Sequence, residues 1–231
     1  MAGLTSGGPN VDVGLLYEVN GLARRAPEAV DRAVASAAEY GLPLALVLLV
    51  LWCWHGARRQ DETTAVESFA ALVWAPLAAG LALLVNVPLR EFVGRPRPFL
   101  QHDGLDVLAA GQGQAAGFSF VSGHATLTMA LAVGVFLANR RLGLIGIALA
   151  LAEGLCRLYL GVHYPTDVIG GFALGTAVVL LLAPLAMALL TPLVRTVARA
   201  PRVGRLVRAR DRVVARPVEL PQRPAESDLA A

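Results

Sequence analysis

Charged residues are scarce in this sequence, and lysine is absent from it. Asp, Glu and Arg together supply only 16 % of the 231 residues, and all 20 basic residues are Arg. A soluble domain typically carries about 25 % charged residues. The low charge, together with 56 % hydrophobic residues, excludes a disordered chain and disfavours an ordinary soluble domain. The net charge of +3 is too small to indicate a nucleic-acid partner, and we expect none.

Cysteine is also nearly absent. Two cysteines, Cys53 and Cys156, cannot form a disulfide framework, and no Cys/His cluster has the spacing of a structural metal site. We therefore expect no structural metal. The first ten residues carry no positive charge, so we expect no cleaved signal peptide.

Long apolar intervals dominate the rest of the sequence. A membrane-spanning helix needs about 20 mostly apolar residues. Five intervals nearly free of charge meet or approach that length: Tyr40–Ala57, Ser68–Leu89, Ala125–Asn139, Leu142–Cys156 and Val168–Val194. The third and fourth are short, so we expect the charged residues at their ends to lie at the headgroup level. The sequence thus predicts an all-α, polytopic membrane helix bundle of about five transmembrane helices.

Residues 11–35 have a different pattern, in which apolar residues recur at helical spacing among charged ones. This pattern predicts one or two amphipathic helices. They would either lie on the membrane surface as an interfacial segment or form a small soluble cap packed on the bundle. The residues alone leave both alternatives open.

The other polar segments define the domain organisation. Residues 90–124, rich in Gly, Pro and Gln, form the longest connection between apolar intervals. A connection of this length is unusual unless it is functional, and we predict that it is an active-site loop. We assign residues 1–200 to a single membrane domain and residues 201–231 to an Arg- and Pro-rich tail.

The arginines predict the orientation, because cytoplasmic loops carry an excess of positive charge. With five spans, the loops at 57–63 and 139–142 share one side with the C-terminal tail. That side holds 13 arginines, and the other side holds seven. We therefore expect a cytoplasmic C-terminus, with residues 90–124 and 157–167 facing outward.

Three short segments on that outer side carry reactive groups: residues 90–98 (REFVGRPRP), 120–124 (FVSGH) and 156–167 (CRLYLGVHYPTD). Arginine offers a planar fork of donors that fits phosphate oxygens. A Ser-Gly turn before a helix points backbone N–H groups at an anion. A histidine four residues before a carboxylate is an oriented nucleophile or base, and a second histidine can be the general acid. This set is typical of phosphoryl transfer through a phosphohistidine, which requires no cofactor and no metal.

The three segments resemble the signature motifs of the type 2 phosphatidic acid phosphatase (PAP2) superfamily. Those motifs read Lys-x6-Arg-Pro, Pro-Ser-Gly-His and Ser-Arg-x5-His-x3-Asp, and their order, internal spacing and placement between spans match here. The resemblance covers residues 85–175 by motif. It implies an integral-membrane lipid phosphatase in the plasma membrane of a bacterium, with a lipid phosphate as substrate and membrane lipids as surroundings.

The resemblance also implies a role for each matching residue. His163 would be the nucleophile, Asp167 would hold its imidazole, and His124 would protonate the leaving oxygen and later activate water. The phosphoryl oxygens would be bound by Arg90, Arg97, Ser122, Gly123 and Arg157. Two further residues would be accessory: Arg95 as a contact to a second phosphate, and Glu153 as the partner of Arg157 one helical turn away.

The sequence departs from the motifs at three positions. Arg90 replaces the usual Lys, Val121 the usual Pro, and Cys156 the usual Ser. None of these changes removes a group that does chemistry. Arg-Pro occurs twice, but only Arg97 has a basic residue at the required spacing, Arg90.

The sequence most resembles small bacterial undecaprenyl-diphosphate phosphatases, through GRPRPF and LGVHYPTDVIGG. The predicted substrate is therefore undecaprenyl or decaprenyl diphosphate. Phosphatidylglycerophosphate, phosphatidic acid and polyprenyl-phosphoryl sugar phosphates are alternative substrates, and a non-catalytic lipid-binding protein is an alternative of another class. Vanadium haloperoxidases share the phosphate-binding cage of this superfamily, but they are soluble proteins, and the apolar intervals of this sequence disfavour that class.

Overall fold

A computed structural model describes residues 10–108, 117–200 and 204–207 of the chain. All regular secondary structure in these ranges is helical. The helices are α1 (Val11–Ala23), α2 (Glu28–Ser36), α3 (Leu42–Ala57), α4 (Glu62–Val93), α5 (Pro98–Gln101), α6 (Gly123–Ala138), α7 (Arg140–Tyr159), α8 (Pro165–Arg199) and α9 (Gly204–Val207), and a π-helical turn (Ala37–Gly41) joins α2 to α3. Most of the predicted tail lies outside the described residues.

Local sequence signals set several helix boundaries. Asp61 caps α4 by accepting the N–H of Thr64 at 3.0 Å, and its hydrogen bonds from Thr63 and Thr64 lower its pKa to about 2. Asn139 caps α7 by accepting the N–H of Leu142 at 3.0 Å. Side-chain acceptors of this kind satisfy N–H groups that have no partner inside the helix. Gly94, with a φ of 60°, ends α4 in a left-handed conformation that glycine adopts without strain.

Each of the five predicted intervals coincides with one helix. Within the described residues, four segments are long and apolar enough to cross a membrane: Glu28–Ala57, Glu62–Gln101, Arg140–Tyr159 and Pro165–Arg199. Helix α6, with 16 residues, is shorter, as expected for the third interval. The prediction of an all-α polytopic bundle is confirmed.

Helix α6 lies at the centre of the bundle, where it packs against α4, α7 and α8. Its buried residues are mostly small, and Gly134 faces Ala75 of α4 so closely that an added Cβ would lie 2.4 Å from the Ala75 Cβ. Small residues let helix backbones approach closely inside a membrane, where dispersion contacts drive association. The central helix is therefore held by backbone proximity to its neighbours.

Residues 11–35 form α1 and α2 in the structure. Helix α1 packs on α7 and α8 and buries Leu16, Asn20 and Ala23. Helix α2 buries none of its residues and continues through the π-helical turn into α3. That these residues lie at the membrane interface remains a prediction.

The contact between α4 and α6 predicts a stability difference between two glycines. Gly134→Ala forces the new Cβ against the Ala75 backbone, and overpacking of this kind costs about 1–3 kcal/mol. Gly80→Ala on α4 has no atom within 4 Å of the new Cβ, so it serves as the matched control. In thermal unfolding of detergent-purified protein, we expect a lower Tm for Gly134→Ala and an unchanged or higher Tm for Gly80→Ala. Equal Tm values for both variants would contradict this packing.

Candidate active site

The three motif segments converge at one end of the bundle. The first follows α4, the second leads into α6, and the third joins α7 to α8. The Ser122 N–H donates to the Asp167 carbonyl oxygen at 3.0 Å, and Arg97 Nη1 donates to the Val162 carbonyl oxygen at 3.2 Å. These bonds link the first and second segments to the third, so they hold the reactive groups of all three segments close together.

His163 lies in the turn between α7 and α8 and is almost fully buried, with 2 % of its surface exposed. Its Nε2 is 3.5 Å from Arg97 Nη1, and its Nδ1 is 3.7 Å from Asp167 Oδ2. The second distance is longer than a hydrogen bond, so the Asp167 carboxylate faces Nδ1 without bonding it. The turn requires Gly161, whose φ of 70° lets the chain reverse just before the histidine.

The surroundings of His163 favour the neutral imidazole. Burial lowers its pKa below the ordinary value of 6.5, and the nearby Asp167 carboxylate, which acts in the opposite direction, does not offset burial. The positive charge of Arg97 also lowers this pKa. A neutral imidazole has the free lone pair that a nucleophile needs.

Asp167 is fully buried in the first turn of α8. Its Oδ2 accepts the Tyr164 N–H at 2.8 Å, and its Oδ1 accepts Arg95 Nη1 at 2.9 Å. The N-terminus of a helix also stabilises a carboxylate through its dipole. Both oxygens are therefore fixed, and the carboxylate cannot rotate away from His163 without breaking one of these bonds.

His124 lies in the first turn of α6 and is half-buried. Its imidazole makes no hydrogen bond to any residue that the structure describes, yet it lies within electrostatic reach of Arg157, His163, Arg97 and Arg90. Its ring nitrogens are thus not engaged by the described part of the protein, as a proton donor to a substrate requires.

The cationic groups around the two histidines differ in exposure. Arg97 is 4 % exposed, whereas Arg90 is half-buried and donates to the Phe118 carbonyl oxygen at 2.5 Å. Ser122 caps α6 through its Oγ, which accepts the Ala125 N–H at 3.4 Å. The N–H of Gly123, in the first turn of α6, needs an acceptor from outside the helix. Arginines and a helix N-terminus, the two kinds of group that bind anions best in proteins, thus lie at the same end of the bundle as the histidines.

Arg157 is fully buried and is held from three sides. Its Nε donates to Glu153 Oε1 at 2.6 Å, its Nη2 donates to the Ala38 carbonyl oxygen at 2.7 Å, and its Nη1 lies 3.6 Å from Glu39 Oε2. The pair that Arg157 forms with Glu153 is the one that their spacing of four residues on a helix predicts. Arg157 therefore acts on the histidines mainly through its charge, since two of its three nitrogens bind protein groups.

Arg95 has partners other than the second phosphate predicted from the sequence. Its Nη1 donates to Asp167 Oδ1 and to Thr166 Oγ1, the latter at 2.7 Å, and its Nη2 donates to Asp12 Oδ2 at 2.6 Å. The guanidinium also stacks on the Tyr164 ring, 3.7 Å from the centroid. Arg95 is thus tied to the carboxylate behind His163.

Sequence reasoning missed the partners that lie far away in the chain. Asp12 of α1 and Glu39 of the π-helical turn contact arginines 83 and 118 residues later. Neither belongs to a motif, and no spacing in the sequence relates them to the site. The predicted amphipathic pattern of residues 11–35 is a weak signal for Asp12, because one of its two alternatives is a cap packed on the bundle, but it does not extend to Glu39.

Comparisons with known proteins agree with the motifs. The family model described as "PAP2 superfamily" matches residues 71–190, which include all three segments. The undecaprenyl-diphosphatase of Bacillus subtilis (strain 168) is 26 % identical over 61 % of this chain and 67 % of its own length. The putative undecaprenyl-diphosphatase of Escherichia coli (strain K12) is 29 % identical over 72 % of this chain and 78 % of its own.

A solved structure is also similar to this chain. It is the transmembrane PAP2-type phosphatidylglycerolphosphate phosphatase from Bacillus subtilis, 20 % identical, with a TM-score of 0.41 over 78 % of this chain and 96 % of that one. The assignment does not depend on it, because the family model alone matches more than half of the sequence. The chain belongs to the PAP2 superfamily and is a membrane-embedded phosphatase of that family.

Proposed function

We propose that this phosphatase hydrolyses a polyprenyl diphosphate, undecaprenyl or decaprenyl diphosphate, on the extracytoplasmic face of a bacterial plasma membrane. The reaction passes through a phosphohistidine and uses no metal. The observation that carries the proposal is the convergence of His163, His124 and three arginines at one end of the bundle. The similarity to the undecaprenyl-diphosphatases of Bacillus subtilis and, putatively assigned, Escherichia coli supports the choice of substrate.

In the first step, Nε2 of His163 attacks the terminal phosphorus and forms a P–N bond. The P–O bond to the lipid monophosphate breaks, and His124 donates a proton to the leaving oxygen. Asp167 holds the proton on Nδ1, which leaves the Nε2 lone pair free. The 3.5 Å separation of Nε2 from Arg97 Nη1 puts a phosphoryl oxygen bound by Arg97 next to the attacking atom.

In the second step, a water molecule attacks the phosphorus of the phosphohistidine. His124, now deprotonated, takes a proton from this water, the P–N bond breaks, and inorganic phosphate leaves. Arg90, Arg97, Arg157 and the N-terminus of α6 stabilise the charge on the phosphoryl oxygens in both steps. Such fixed positive groups are usually the largest part of phosphoryl-transfer catalysis.

An apolar cavity supports an amphiphilic substrate. It has a volume of about 350 Å³ and lies where α1, α7 and α8 meet. Leu158 and Val168 line it, and each follows a site residue in the sequence, Arg157 and Asp167. A hydrocarbon chain in this cavity would lie beside the phosphate-binding groups. The excess of arginine on the opposite side of the bundle supports a site that faces outward.

Phosphate release from a lipid panel tests the substrate. Purified protein in detergent and EDTA is given undecaprenyl diphosphate, phosphatidylglycerophosphate and phosphatidic acid, with His163→Ala as the blank. We expect the highest kcat/KM for the diphosphate and no effect of EDTA. Preference for a glycerophospholipid would replace the proposed substrate by that alternative. Strong inhibition by EDTA would contradict the metal-free mechanism, and release no faster than the blank from every lipid would favour a sugar-phosphate lipid or the non-catalytic alternative.

The covalent step predicts the effect of removing the nucleophile. His163→Ala should lower kcat by at least about a thousandfold, because the P–N bond can no longer form. The matched control is His55→Ala, since His55 lies at the end of α3 and contacts Arg59. It should retain nearly full activity in the same phosphate-release assay. A His163→Ala variant with more than a tenth of the original kcat would contradict the assignment of the nucleophile.

The lowered pKa of His163 predicts the acid side of the pH profile. Below that pKa the imidazole is protonated and cannot attack, so kcat/KM falls as the pH falls through it. We expect the midpoint of this fall below about 6.5, the ordinary histidine value. Two substrates whose phosphates differ in pKa should give the same midpoint, because the group that titrates belongs to the enzyme. A midpoint above 6.5 with both substrates would contradict the buried, neutral histidine.

A further inference from the structure

Helix α1 places a carboxylate next to the charged groups that surround His163. Asp12, in the first turn of α1, pairs with Arg95 at 2.6 Å, and Arg95 pairs with Asp167 at 2.9 Å. Asp167 Oδ2 in turn lies 3.7 Å from His163 Nδ1. The chain of contacts thus runs from the N-terminal helix to the nucleophile.

We propose that Asp12 is a positioning residue of the active site, which fixes Arg95 and through it the Asp167 carboxylate that holds His163. The inference deepens the proposed function and rests on it. The family model matches residues 71–190, so Asp12 lies outside the matched region.

The contacts of Asp12 fix it at both oxygens. Its Oδ1 accepts the Thr166 N–H at 2.9 Å, and its Oδ2 accepts Thr166 Oγ1 at 2.7 Å as well as Arg95 Nη2. Thr166 immediately precedes Asp167 in the first turn of α8. Asp12 therefore binds both the backbone next to Asp167 and Arg95, the cation that neutralises the Asp167 carboxylate.

Arg95 bridges two carboxylates and needs both to keep its orientation. Its Nη1 serves Asp167, and its Nη2 serves Asp12. Without the second carboxylate, only stacking on Tyr164 and the Nη1 contacts would orient the guanidinium. A shift of Arg95 would release one of the bonds that fix Asp167.

The pairing is stronger than an ordinary surface ion pair. The side chains of Asp12 and Arg95 are 13 % and 26 % exposed, so water screens them less than it screens surface charges. Burial by itself would raise the pKa of Asp12, but hydrogen bonds from Arg95 and Thr166 outweigh burial and lower it. Asp12 is therefore ionised at neutral pH and keeps its charge opposite Arg95.

Helix α1 has other contacts that hold it in place without Asp12. Asn20 is buried and its Nδ2 donates to the carbonyl oxygens of Asp106 and Tyr159 at 2.9 and 2.8 Å. Asn20 Oδ1 also accepts the Asp106 N–H at 2.8 Å. Removing the charge of Asp12 should thus disturb Arg95 and leave α1 packed on the bundle, which separates positioning from folding.

The test compares Asp12→Asn with Glu18→Gln, which removes a carboxylate from an exposed position of the same helix. Phosphate release from undecaprenyl diphosphate gives kcat and KM, and thermal unfolding gives Tm. We expect Asp12→Asn to lower kcat at least tenfold and to change KM less than threefold. Its Tm should stay within about 3 °C of that of the unmodified protein. Asp12→Glu, which keeps the charge, should restore at least a third of the original kcat, and Glu18→Gln should match the unmodified protein. A kcat for Asp12→Asn within twofold of the original would overturn the proposal, as would a loss of kcat that Asp12→Glu repeats in full.

Binding of orthovanadate supplies a readout that does not need the lipid substrate to be correct. Vanadate is a phosphate-like oxyanion that a nucleophilic nitrogen can bind, so its Kd reports the geometry around His163. We expect Asp12→Asn to raise this Kd at least tenfold and Glu18→Gln to leave it unchanged.

The two proposals can fail separately. Vanadate binding by the unmodified protein without turnover of any lipid would contradict the proposed substrates, while the variants would still test the role of Asp12. Equal Kd values for Asp12→Asn and the unmodified protein would overturn the positioning role of Asp12 and leave the proposed function unaffected. If Asp12→Asn does not fold, Asp12→Ser, which also removes the charge, replaces it in the comparison, and a Kd and kcat within twofold of those of the unmodified protein would overturn the positioning role.

Discussion

The buried carboxylate of Asp167 is the group on which the rest of the site depends. It receives the Tyr164 N–H and Arg95 Nη1, it faces His163, and the backbone carbonyl of the same residue receives the Ser122 N–H that leads into α6. A buried charge is tolerated only when it is paired and hydrogen-bonded. Asp167 thus connects the three motif segments, the first through its carboxylate and the second through its backbone carbonyl, and Arg95 extends the connection to Asp12 of helix α1.

The bundle supplies the rigidity that this arrangement needs. Gly134 of α6 and Gly175 of α8 lie so close to neighbouring backbone that an added Cβ would approach backbone atoms at 2.6 and 2.5 Å. Such contact fixes how the helices meet, and so it fixes where Ser122 at the start of α6 meets Asp167 at the start of α8. Arg157 and Glu153 are both fully buried and pair with each other, which keeps a positive charge near the histidines inside an apolar bundle.

The sequence predicts the parts of this structure that depend on local patterns. The five apolar intervals predict five helices because a membrane permits few alternatives to helices for a single span, and the Ser-Gly turn at Ser122 predicts the start of α6. The three motifs locate His124, His163 and Asp167, since their spacing is fixed within single segments. The partners of Arg95 and Arg157 could not be predicted, because Asp12, Ala38 and Glu39 approach them only through tertiary packing. For the same reason Arg95 was expected at a second phosphate, whereas it binds two carboxylates.

Direct detection of the covalent intermediate tests the central claim, that His163 accepts the phosphoryl group. The protein is mixed with polyprenyl diphosphate labelled in its terminal phosphate, quenched with alkali within the first turnover, and analysed by peptide mass spectrometry. The mechanism predicts an acid-labile, alkali-stable phosphate on His163, absent from His163→Ala. Label on another residue, or no protein-bound label while phosphate is being released at the normal rate, would contradict it.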